Sequence, residues 1–143
     1  MVEYMIVYVE GECDIELTHS VVAHCFNELI PTHDVNINVL VRDIETDNIN
    51  GWYHCTGDNN YEISVDKSLS KNQFIKTLCH EMVHVKQGVK KELKEESKYC
   101  RSWLGTEYKL WAGTEYTGQF PWEAEAYYLE NKLYNSFMVN NKK

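Results

Sequence analysis

His80-Glu81-Met82-Val83-His84 places two imidazoles four residues apart with a carboxylate beside the first. On a helix a four-residue step turns about 400°, so the two rings stack on one face, one turn apart, and both reach a single ion. Glu81 cannot share that direction, yet its longer side chain reaches a water on the open side of the ion, which is the place of a general base. Such a site takes three protein ligands and keeps one position where bound water has its pKa lowered toward about 7. Two histidines and one carboxylate in this motif favour zinc, although iron binds similar triads.

The third ligand has to come from elsewhere. Glu123 and Glu125, in Pro121-Trp122-Glu123-Ala124-Glu125-Ala126-Tyr127, begin a predicted last helix, and about 200° separates them on the helical wheel, so only one can face the metal. Trp122, Ala126, Leu129, Leu133 and Phe137 form that helix's apolar stripe, and the two glutamates flank it symmetrically, so periodicity does not choose. Glu123 lies in the first turn, where the helix N-terminus stabilises a carboxylate without any metal. That consideration selects Glu125 as the third ligand, with Glu123 the alternative.

The elements that must position these groups can be read from the same pattern. Met1 to Val9 is a β-branched and aromatic run that predicts a strand, followed by a helix capped by Thr18 whose Val21, Val22, Cys25, Phe26 and Leu29 recur at helical spacing until Pro31. Residues 35 to 44 predict a second strand, and Trp52 to Cys55 and Tyr61 to Val65 predict a hairpin across Thr56 to Asn60. A turn is expected over Asp47 to Gly51. Ser70 caps a motif helix reaching about Gly88. Residues 89 to 104 fit helix or loop, and Trp111 to Tyr116 a short strand or turn. Pro121 suits the first position of a final helix to about Phe137, with a frayed tail after it. The expected fold is α+β: a small mixed or antiparallel sheet packed on an N-terminal helix and the motif helix, plus the glutamate-bearing C-terminal helix.

With 143 residues, 43% of them hydrophobic and 25% charged, the chain has the size and balance of one globular domain spanning residues 1–143. Its formal net charge of −8 argues against nucleic acid as a partner. Lys90, Lys91 and Lys94 interleaved with Glu92, Glu95 and Glu96 read as a solvated face. No run approaches the roughly 20 apolar residues of a membrane span, and the first residues lack a basic leader, so a cytoplasmic protein without membrane association is expected. Five cysteines (Cys13, Cys25, Cys55, Cys79, Cys100) without a CxxC pair suit neither a disulfide framework nor a zinc ribbon. Cys79, one step from His80, is expected to pack beneath the site. His19, His24, His33 and His54 lack ligand spacing and read as ordinary surface or packing residues.

From the chain's own histidine and glutamate frequencies the five-residue motif arises by chance on the order of 3 times in 100 such chains, so its context in mid-helix matters. In that context the sequence resembles the gluzincin metallopeptidases. The resemblance rests on His80 to Gln87, on Trp111-Ala112-Gly113-Thr114-Glu115-Tyr116 and on Pro121 to Tyr127, and it is greatest to the small single-domain members found in phage and bacterial genomes. It covers about residues 60 to 130. It implies a zincin-like fold, zinc held by His80, His84 and a glutamate on a later helix, and Glu81 activating water to attack a peptide carbonyl. A Glu-Ala step after the third ligand favours Glu125, with Glu123 still open. The resemblance also implies an edge strand lining the cleft, here Tyr61 to Asp66. Tyr108, Tyr116, Tyr127 and Tyr128 are candidates by chemistry for steadying the oxyanion. Larger members close the cleft with a second subdomain, for which this chain has little room.

The function expected is therefore zinc-dependent hydrolysis of a peptide or protein substrate. Two alternatives remain: hydrolysis of another amide, whose deformylase-like cysteine motif is not evident upstream, and a non-catalytic module in which a metal staples the last helix to the motif helix. Oligomeric state is not legible from the sequence.

Overall fold

The computed structural model describes residues 5–44, 49–97, 100–109 and 120–140. Among these, the order is β1 (Met5–Gly11), α1 (Ile15–Leu29), β2 (Val35–Arg42), β3 (Gly51–Gly57), β4 (Asn60–Asp66), α2 (Lys71–Val89), β5 (Leu93–Ser97), β6 (Cys100–Trp103), β7 (Thr106–Lys109) and α3 (Pro121–Asn140). The architecture is α+β, with three helices among the described residues and two sheets.

The larger sheet is mixed, in the order β1-β2-β4-β3. β2 pairs in parallel with β1 and with β4, and β3 returns antiparallel on β4. Strict alternation explains how it packs. Val35, Ile37, Val39 and Val41 of β2 are buried while Asn36 and Asn38 are exposed, so one face meets the helices and the other carries polar groups, with Ile6 and Tyr8 of β1 also exposed on their strand. Ile63 and Val65 of β4, Val21, Val22 and Phe26 of α1 and Ile75, Leu78, Met82 and Val83 of α2 complete this core.

α1 begins one turn earlier than the sequence predicts. Asp14, not Thr18, is its cap, accepting from the Leu17 amide at 3.0 Å, and Thr18 is buried with its hydroxyl donating to the Asp14 carbonyl at 2.8 Å. Both are good capping types, and the choice falls to the residue that leaves the polar side chain outside. Ser70 caps α2 as expected, accepting from the Gln73 amide at 3.3 Å. α2 is the central element, touching α1, α3, β3, β4 and β5, which is why most of its length is buried.

Two expectations about strands change. The strand Tyr61 to Asp66 is interior, because β4 pairs with β2 on one side and with β3 on the other, and β3 is the edge strand at that end of the sheet. Leu93–Ser97, Cys100–Trp103 and Thr106–Lys109, where the sequence predicts helix or loop up to residue 104, form a three-stranded antiparallel sheet in the order β5-β6-β7. Its β6–β7 turn uses Leu104 (φ 49°) and Gly105 (φ 90°), both in the left-handed region that matches hairpin twist. The segment Trp111 to Tyr116, the first two residues of the turn expected over Asp47 to Gly51 and the chain's last three residues lie outside the described residues, and the last residue of that turn, Gly51, opens β3. No helix among the described residues is long and apolar enough to cross a membrane.

Candidate metal centre

α2 and α3 pack side by side and run in opposite directions, since Gln87 meets Trp122 while His80, two turns earlier, meets Glu130. His80 and His84 occupy the α2 face turned toward α3, with their ring centroids 5.0 Å apart. Glu123 enters between them. His80 Nε2 lies 3.0 Å from Glu123 Oε1, and His84 Nε2 lies 3.2 Å from Glu123 Oε2. One ligand atom from each of the three lies within 4.8 Å of the others, so this group could hold a metal ion.

The structure thus brings together His80, His84 and Glu123, and takes the alternative rather than the preferred carboxylate. Glu125 points elsewhere, accepting from Lys86 Nζ and Gln87 Nε2, each at 3.0 Å. The helix N-terminus argument against Glu123 fails because that glutamate is buried, 6% exposed, against two imidazoles. A first-turn position and a ligand position are compatible.

The outer nitrogens of the two rings test whether the donor set suits a cation. His80 Nδ1 donates to Glu130 Oε1 at 2.7 Å, and His84 Nδ1 donates to Gln87 Oε1 at 2.8 Å. With both Nδ1 atoms carrying hydrogens, each neutral ring presents its Nε2 lone pair toward the Glu123 carboxylate, and three electron-rich groups converge on one point. A divalent cation or added protons answer the same demand. The protonation tendencies reflect it: burial pulls His80 down, but its bonds to Glu123 and Glu130 hold it up at about 10. Burial likewise raises Glu123, yet His80 and His84 hold it down at about 2. His84 is also pushed up, its burial outweighed by Glu123 and then Glu81.

Glu81 is 5% exposed, and burial raises its pKa against the opposing pull of His84 and His80. It lines two clefts that meet at His80 and Glu123. One, of about 220 Å³, is walled by Ile49 to Gly51, Thr77, Tyr127 and Glu130; the other by Trp52, Tyr53, Glu95, Arg101 and Trp122. Gly51 is needed where β3 passes α2: a Cβ there would stand 2.6 Å from the Ser64 carbonyl oxygen and 2.9 Å from Thr77 Cγ2. The edge strand therefore runs directly beside the site.

Of the tyrosine candidates, Tyr127 lies in the first cleft with its ring 4.7 Å from that of His80. Tyr108 packs on Trp122 and Phe120, Tyr128 is exposed under Lys132, and Tyr116 lies outside the described residues. Cys79 is fully buried behind the motif with its sulfur 3.8 Å from that of Cys25, as expected of a packing residue. Sequence reasoning missed Glu130, Gln87 and Tyr53, whose ring stacks on His84 at 5.0 Å. Spacing held a signal for two of them, because Gln87 follows His84 by three residues and Glu130 follows Glu123 by seven, intervals that return to the same helix face. Comparison with family models, curated proteins and solved structures finds no match.

Proposed function

We propose that the protein is a zinc-dependent peptidase of zincin-like, gluzincin-type construction, with His80, His84 and Glu123 as ligands and Glu81 as the general base. The observation that carries this reading is the convergence of two Nε2 atoms and one carboxylate beside a buried glutamate at the junction of two clefts. Zinc bound there would supply Lewis acidity toward a carbonyl and a water. Glu81, with its carboxyl raised by burial, is suited to take a proton from the attacking water at a carboxylate oxygen and return it to the leaving amine. β3 offers an edge strand beside both clefts against which an extended peptide or protein substrate can lie. Tyr127 is the hydroxyl donor best situated for a developing oxyanion, because it shares the cleft with His80 and Glu81 and its neighbouring carboxylates, after burial, favour the protonated phenol.

The test is metal analysis of the purified protein followed by cleavage of a diverse peptide mixture read by mass spectrometry. Zinc at one ion per chain and new cleavage products, lost in Glu81→Gln while the zinc stays, are expected. Equal cleavage by Glu81→Gln would sink the general-base role. A zinc-loaded protein that cleaves nothing would leave a metal staple between α2 and α3.

A further inference from the structure

Gln87 is fully buried, and both ends of its amide are engaged. Nε2 donates to the Trp122 carbonyl at 2.9 Å and to Glu125 Oε1 at 3.0 Å, while Oε1 accepts from His84 Nδ1 at 2.8 Å. The two amide hydrogens thus meet two oxygens that only accept. Turned over, the amide would set its carbonyl oxygen against a carbonyl and a carboxylate, and its NH₂ group against the ring N–H. The orientation is fixed by the chemistry of its neighbours rather than by its shape. Glu125 is anchored in turn by Lys86, whose ammonium also meets Glu92 at 2.8 Å.

We propose that Glu125 and Gln87 are positioning residues for His84. Glu125, fixed by Lys86, holds the Gln87 amide so that its carbonyl oxygen keeps a hydrogen on His84 Nδ1 and leaves Nε2 as the metal-binding atom. The same amide grips the carbonyl of Trp122, the residue before Glu123, and so registers one ligand-bearing helix against the other. This assignment rests on the reading of His80, His84 and Glu123 as a zinc site. It gives Glu125 a role at the centre without making it a ligand.

The experiment is zinc affinity, measured by competition with a chromophoric chelator, with ring ¹⁵N shifts of His84 in the zinc-loaded protein. Gln87→Leu is expected to weaken zinc by about 10- to 100-fold, and Glu125→Ala by about 10-fold, the low end of the range for groups that orient ligands. Glu125→Gln keeps an oxygen that accepts from Lys86 and Gln87 and should recover most of that loss. Gln87→Leu combined with Glu125→Ala should be no weaker than Gln87→Leu alone, because one residue acts through the other. The Glu125 side chain is 29% exposed, so its variants remain informative should Gln87→Leu fail to fold. Native zinc affinity in Glu125→Ala, losses that add in the double variant, or zinc on His84 Nδ1 in the native protein would overturn the proposal while leaving the zinc site intact. A native chain that binds no zinc would overturn both.

Discussion

His80 and His84 stand one turn apart on α2 and present the same nitrogen to Glu123, yet their outer nitrogens are held by different chemistry. His80, at the wetter end and lining both clefts, donates to a carboxylate, Glu130. His84, 3% exposed, donates to a neutral amide, Gln87, that is itself fully buried. A charge is cheapest to hold where water still reaches it: the Glu130 side chain is 17% exposed. Where water is excluded, an amide gives the same orientation without an ion, and the charge is displaced outward to Glu125 and Lys86. The two flanks solve one positioning problem at two depths.

The largest effect should follow from the carboxylate common to both flanks. Glu123→Ala is expected to weaken zinc by more than about 100-fold, beyond the range of groups that only orient ligands, as read by chelator competition. Retained zinc would remove Glu123 from the ligand set. Next in size is the His80 flank: Glu130→Ala should cost about 10- to 100-fold in zinc affinity. Glu130→Gln keeps an oxygen for His80 Nδ1 and should cost less. If Glu130→Gln is as weak as Glu130→Ala, the negative charge rather than the hydrogen bond matters on this flank, and the contrast with Gln87 becomes one of electrostatics instead of depth.

Zinc bound by His80, His84 and Glu123 would also show in stability, because it would tie α2 to α3. Removing zinc with a chelator is expected to lower the melting temperature, with a stabilisation of about 2.7 kcal/mol for free zinc at 100 times its Kd. The shift should vanish in Glu123→Ala. A melting temperature indifferent to chelator would mean that the protein's own apolar packing and hydrogen bonds hold the two helices without it.

Much of this was legible beforehand. The motif helix with its Ser70 cap, the alternation of Val35 to Val41 and the start of α3 at Pro121 all follow from local periodicity and capping chemistry, and each lies where its residues predict. The small second sheet was not legible, because β5 buries only Leu93 and exposes Lys94, Glu95, Glu96 and Ser97, so it carries no apolar alternation. Which of Glu123 and Glu125 lies beside the histidines was not legible for a related reason. Each flanks the apolar stripe of α3, and what separates them is the partner each meets across the interface: imidazoles for one, Lys86 for the other. That information belongs to the antiparallel register of α2 and α3, not to either helix alone. The seven-residue step from Glu123 to Glu130 was a clue, since Glu125 has Lys132 at the same interval.

The smallest expected effect separates site geometry from general stability. Ser70 caps α2 at the end remote from Gln87, ten residues before His80, accepting from the Gln73 amide. Ser70→Ala should cost about 1 kcal/mol in denaturant unfolding, as loss of a capping oxygen typically does. It should leave zinc affinity of the folded protein unchanged, because the buried central turns of α2 are fixed by the sheet and α3 rather than by the first turn. A loss of zinc affinity comparable to that of Glu130→Ala would show that the histidine pair senses the whole helix. The weaker binding of the flank variants would then measure helix stability, and the distinction between a carboxylate-held and an amide-held imidazole would lose its basis.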